Sequence, residues 1–313
     1  MEPNILAFWE KYELLSSSEN YSAEKIKGKI CRYCEKNENE TTFKQITHLI
    51  PELIGENDIH TFDECDSCNN LFSGYESNFA VFIRPYLILG GIKGKTKIPA
   101  FHSRTEKGNE ETRTIFKHRE GNRKELHLQD LDDYTIDEET KTFSITFRKS
   151  SFTPLKVYKA LLKIGLSLLP VKYDEFNRHS FEWITNRKED LNFIPSAFIT
   201  TLKGKKFTKA YAELYRAKKL VIENEMFPEH ILILHFANQV FQIFLPFSDE
   251  LKKEDAPNRN LSLLLFPSYA YDEIIGEQIN GFRSYDLGVS TPITENHKIS
   301  FSYEQADIQI PHK

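Results

Sequence analysis

All four cysteines of this 313-residue chain fall in two CxxC pairs. Cys31 and Cys34 belong to CRYC at 31–34, and Cys65 and Cys68 to ECDSCNNLFSGYE at 64–76. A CxxC turn lets two sulfurs converge on one ion, and two such turns complete the closed tetrahedral thiolate set that structural zinc takes. The other chemistries open to these thiols are a redox CxxC or four unrelated cysteines. Disulfides are the poorer reading for a chain expected in a reducing compartment. Between the pairs runs THLIPELIG at 47–55, which carries His48. Imidazole titrates near neutral pH, so it suits a general base.

The ordered set CxxC, His-x-Ile-Pro, CxxC-Asn resembles the HNH endonucleases, the zinc-supported branch of the ββα-metal nucleases. The residues that carry the likeness are Cys31 and Cys34, then His48-Leu49-Ile50-Pro51, then Cys65, Cys68 and Asn69. They span about 28–85 and leave the C-terminal half outside. The resemblance implies a phosphodiesterase acting on DNA, with RNA not excluded. It implies that His48, at the end of a first strand, activates water. It also implies that Asn69, at the start of a following helix, helps hold a catalytic Mg²⁺ or other divalent cation. Zinc would then give shape, and a second, hard cation would offset charge at the phosphate. Glu76 is a further catalytic candidate. Many relatives carry Asp, Glu or His just before the base, where this chain has Thr47. Glu52, Asp66 and Glu76 are the acidic substitutes, and Asn57 is the candidate for the loop asparagine. The biological setting that the resemblance implies is a restriction or phage-defence effector. The competing classes are a zinc module that binds nucleic acid or a protein without catalysis, and a nuclease silent until a ligand or partner binds the C-terminal half.

The elements that must position these residues give an α+β class: a small ββα zinc module on the N-terminal side, then a domain of two or more helices and an antiparallel sheet. Residues 1–27 read as a helix and polar linker, with Ile5, Phe8, Trp9 and Tyr12 on one face. The module with a basic extension covers 28–125; β character is expected over 42–50. A helix over 67–84 follows, with its stripe at Leu71, Phe72, Tyr75, Phe79, Phe82 and Ile83. The extension, from Arg84 through Lys95, Lys97, Arg113 and Arg119 to Lys124, suits a phosphate backbone. Short strands are expected at 97–101 and 112–117. A connecting strand and acidic loop occupy 126–151, with the strand at 142–148.

The C-terminal α+β domain, 152–313, opens with Pro154 before VYKALLKIGLSLL and closes that helix at Pro170. A second helix is expected over 174–186. Strand patterns follow in AFITTL, KKLVIE, HILILHF, QVFQIFLPF and LSLLLF. A role in target binding, sensing or homo-oligomer formation suits this half. His102, His118 and His235 show no ligand spacing.

Net charge is −5, so nucleic-acid binding has to come from a local basic region rather than from the whole chain. No stretch approaches the ~20 apolar residues of a membrane span. The start, MEPNILAFWEKYELL, lacks the basic-then-apolar order of a secretion signal. A cytoplasmic protein with no membrane partner is the expectation.

Overall fold

The computed structural model describes residues 5–22, 29–55, 57–89, 91–93, 101–107, 110–118, 124–127, 134–187, 194–202, 207–246, 260–267 and 279–302. In chain order its elements begin with α1 (Ile5–Lys11), β1 (Tyr12–Ser17), β2 (Thr47–His48), β3 (His60–Thr61) and α2 (Asp66–Leu89). There follow β4 (Phe101–Lys107), β5 (Glu110–His118), β6 (Lys124–His127), β7 (Tyr134–Asp137), β8 (Thr142–Arg148), α3 (Pro154–Leu168) and α4 (Arg178–Ile184). The last strands are β9 (Ser196–Leu202), β10 (Phe207–Ala217), β11 (Val221–Ile222), β12 (Glu225–Met226), β13 (His230–Ala237), β14 (Gln239–Phe244), β15 (Asn260–Leu261), β16 (Ile279–Asp286) and β17 (Asn296–Ser302). The class is α+β: among the described residues there are few helices, and the sheet pairings are antiparallel apart from β12 with β15.

One six-stranded antiparallel sheet, ordered β1-β10-β13-β14-β9-β16, organises the molecule. Every residue of β13 is buried, because both of its faces are covered. Leu232 and Leu234 point to the side of α2, α3 and the cysteine module, while Ile231 and Ile233 join Phe8, Tyr12, Tyr215 and Phe266 on the other side. A strand covered twice needs no polar alternation, which explains the unbroken run HILILHF. α3 lies in the middle of the first layer and is buried almost all round. Gly165 lets it approach the sheet: a Cβ there would meet Leu245 Cδ1 at 3.0 Å.

Several local expectations differ from what forms. Residues 12–17 do not continue a helix into a linker; they form edge strand β1, paired with β10 from Tyr12↔Ala217 to Ser17↔Glu213. The Tyr12 hydroxyl donates to Pro228 O at 2.9 Å, and Ser18 Oγ accepts from Ala212 N at 2.8 Å, so the terminus is stitched to the sheet. α2 runs through Pro85 to Leu89. A proline costs a helix one amide bond; burial of Tyr86, Leu87 and Ile88 beyond it offsets that loss. The second C-terminal helix is shorter than 174–186, with a 3₁₀ turn Val171–Tyr173 before it. Of KKLVIE and LSLLLF, only Val221–Ile222 and Leu261 lie in strands. In the basic extension, β4, β5 and β6 form a three-stranded sheet. Lys95, Lys97, Arg119 and Arg123 fall outside the described residues, and so do residues 303–313.

Candidate metal centre and active site

The two knuckles meet. The four Sγ atoms of Cys31, Cys34, Cys65 and Cys68 all lie within 4.8 Å of one another. Cys31 and Cys68 are 3.7 Å apart, as are Cys34 and Cys65, and all four are free thiols. A tetrahedron of sulfurs ~2.3 Å from its centre has edges of about 3.8 Å, so the cluster has the size of a tetrathiolate cage. Its electrostatics call for a cation. The hydrogen bond shared with Cys68 holds the Cys31 thiol down at about 5 and pushes Cys68 well up. Burial lifts Cys34 to about 11. Cys31 is favoured as thiolate while Cys34 and Cys68 resist ionising, until a divalent ion compensates them. The residues therefore fit a metal ion such as zinc.

The first knuckle is held from the far end of the chain. Arg32, between Cys31 and Tyr33, is 4% exposed and grips Asp174 with two bonds, Nε to Oδ2 at 2.8 Å and Nη2 to Oδ1 at 2.6 Å. It also donates to Leu169 O at the end of α3. Tyr33 shares a 2.8 Å bond with Ser167, and Arg178 donates to the carbonyls of Arg32 and Tyr33. Arg187 adds another bond to Tyr33 O. A bidentate guanidinium with both partners shielded is the strong form of ion pair.

Next to the cage stand β2, β3 and α2, in ββα order. Register Thr47↔Thr61 and His48↔His60 sets the hairpin. Thr47 is buried and donates to Thr61 O at 2.7 Å, so it faces inward. His48 closes β2 on the outer face with its side chain 21% exposed. Its ring meets that of His60 edge-on, centroids 4.7 Å apart, and its Nε2 is 3.9 Å from Glu52 Oε1. Nδ1 is buried, and among the described residues no hydrogen bond of good geometry reaches it. Burial lowers the His48 pKa below the usual 6.5, and the Glu52 carboxylate pulls part of the shift back. The ring is thus mostly neutral near pH 7, the form that can accept a proton. Asn57 steadies the loop: its amide donates to Ile50 O at 3.1 Å and Gly55 O at 3.2 Å.

Asn69 is in the first turn of α2, and its amide donates to Gln45 Oε1. Asp66 is committed locally, accepting from Thr42 Oγ1 and from the amides of Lys44 and Gln45, bonds that hold its pKa down. Glu76 is half-buried; burial raises its pKa, and the Lys163 cation opposes that rise. Among the described residues, no hydrogen bond or ion pair joins Asn69 or Glu76 to the His48 imidazole. Nor does a second set of three His, Cys, Asp or Glu donors converge there. Among the described residues, support for a metal ion is thus confined to the four-cysteine cage.

Comparison with family models, curated proteins and solved structures returns no match.

Two neighbours of the site were not foreseen from the sequence. His60 is paired with His48, and the only available cue was its place between the two CxxC pairs. Lys163, in the middle of apolar α3, donates to His48 O and lies 3.5 Å from Glu64 Oε2. The two side chains are 3% and 0% exposed. Burial pushes the Glu64 carboxyl up to about 7, and Lys163 opposes the shift. A lysine in an apolar helix looks like an error until its carboxylate partner is known. No described helix is long and apolar enough to cross a membrane.

Proposed function

We propose that this protein is an endonuclease of the HNH type, hydrolysing phosphodiester bonds of DNA with His48 as general base. The observation that carries the reading is the histidine itself. It is half-buried with a lowered pKa, and it closes the first strand of a ββα unit whose helix begins at a four-thiol cage. In that role Nε2 takes a proton from a water molecule as its oxygen attacks phosphorus in line. The bond from phosphorus to the 3′ oxygen breaks, and that oxygen takes a proton from solvent. The products are 5′-phosphate and 3′-hydroxyl ends. Zinc is the proposed ion of the cage. It is bound for shape rather than chemistry, because four protein ligands leave it no open position. A divalent cation at Asn69, with the Glu52 carboxylate 3.9 Å from the base, would supply charge at the phosphate. A restriction or phage-defence setting is part of the same proposal.

A second reading is a zinc module that binds nucleic acid without cutting it. The inward turn of Thr47, where a ligand would stand, favours it. Incubation of plasmid DNA and RNA with the purified chain, in Mg²⁺, Mn²⁺ or chelator, separates the two. Cleavage by the parent and none by His48→Ala, with metal content and melting unchanged, is the expected result. Equal cutting by the Ala variant removes the histidine from the mechanism.

A further inference from the structure

The outer face of the hairpin carries more than imidazoles. With Thr47 and Thr61 turned inward, period-two alternation puts His48 and His60 outside. The register carried one step along brings Ile46 against Phe62 on that same face. Ile46 is 71% exposed and Phe62 65%, so neither serves the core. A single exposed apolar side chain needs no explanation. Two of them, at positions that the same register places opposite one another and one step along from a pair of half-buried histidines, put exposed apolar surface beside the candidate site. Gln45, next to Ile46 in the chain, belongs to a group of carboxamides: Asn69 Nδ2 donates to Gln45 Oε1, and Gln45 Nε2 to Asn70 Oδ1 at 3.4 Å.

We propose that Phe62 and Ile46 are a stacking platform for one unpaired base of single-stranded DNA, whose adjoining phosphate lies at His48. The inference rests on the nuclease reading and names its substrate form. A nucleobase has a flat apolar face for the phenyl ring and a polar edge for amides such as Gln45 and Asn70. Two residues along one face of a strand span ~7 Å, the scale of one nucleotide. In a duplex both faces of every base are covered by its neighbours. The platform can therefore engage only a base that is single-stranded or turned out of the stack.

The test uses the full chain carrying His48→Ala, so that bound DNA survives, and a fluorescein-labelled oligonucleotide read by anisotropy as single strand and as duplex. Adding Phe62→Ala weakens single-strand binding by on the order of tenfold and duplex binding hardly at all. Phe62→Trp keeps the affinity, and its indole emission is quenched by the bound strand. Phe62→Leu, which keeps an apolar group without a ring, behaves like Phe62→Ala and guards against a folding artefact. The proposal falls if Phe62→Ala binds the single strand as its parent does, or if it loses single strand and duplex alike. It also falls if sedimentation shows that the change only splits a dimer, which would make this surface a seat for a second copy. A His48→Ala parent that binds no DNA in any form sinks the nuclease reading too. A parent that binds, with Phe62 making no difference, sinks the platform alone.

Discussion

Replacing Lys163 with Met removes the cation that faces Glu64 inside the molecule. At 3.5 Å, and with an effective dielectric near 20, the attraction between two unit charges is about 5 kcal/mol. The pair also costs desolvation on both sides, so its net worth is smaller. Breaking it from one side leaves the Glu64 carboxyl, already raised to about 7, with no cation, and it takes up a proton rather than stay charged. Lys163→Met therefore lowers unfolding free energy by about 1–3 kcal/mol, the cost of a buried polar group left unpaired, in a urea titration on metal-loaded protein. Glu64→Gln strands the ammonium instead and costs less, because His48 O still accepts from Lys163. The double variant recovers part of the loss, giving a coupling energy of about 1 kcal/mol in a double-mutant cycle. A loss below ~1 kcal/mol for Lys163→Met, or strictly additive single effects, would refute the assignment of this pair as the buried link between α3 and the site.

Other outcomes follow from the same geometry. Glu52→Gln removes the carboxylate that raises the His48 pKa, so the acid limb of kcat/KM against pH moves to lower pH. A limb that stays put or moves up contradicts the contact. Cys31→Ser opens the cage, and metal analysis then finds less than one ion per chain with a lower melting temperature. Arg32→Met leaves Asp174 and Leu169 O without their guanidinium, and melting falls although no thiol has changed; an unaltered melt would mean the clamp carries no stability.

The thiol cage was legible because CxxC spacing is a local signal and the four residues are the chain's whole supply of cysteine. Helix α3 was legible for a similar reason: Pro154 and Pro170 bracket an apolar run that no turn residue interrupts. β10 was not. FTKAYAELYRA is rich in Ala, Leu, Glu, Lys and Arg, which favour helix, yet it is an inner strand because β1 and β13 supply its hydrogen bonds. The outer-face partners of His48 were hidden because strand pairing across a 47–61 loop is set by tertiary contacts, not by spacing. Lys163 and Arg32 read as ordinary surface cations in a list of residues. Only the fold shows that each is enclosed with a carboxylate.

The wiring of the first knuckle has a consequence for biosynthesis. Arg32 leaves the ribosome 142 positions before Asp174, the carboxylate that neutralises it. The carbonyls of Arg32 and Tyr33 wait 146 and 145 positions for Arg178. A nascent chain carrying only the cysteines owns the ligands for an ion but not the groups that shape the turn around it. The ligand set is thus complete once Cys68 has emerged, whereas the turn of the first knuckle gains its buried partners only once translation has passed α4.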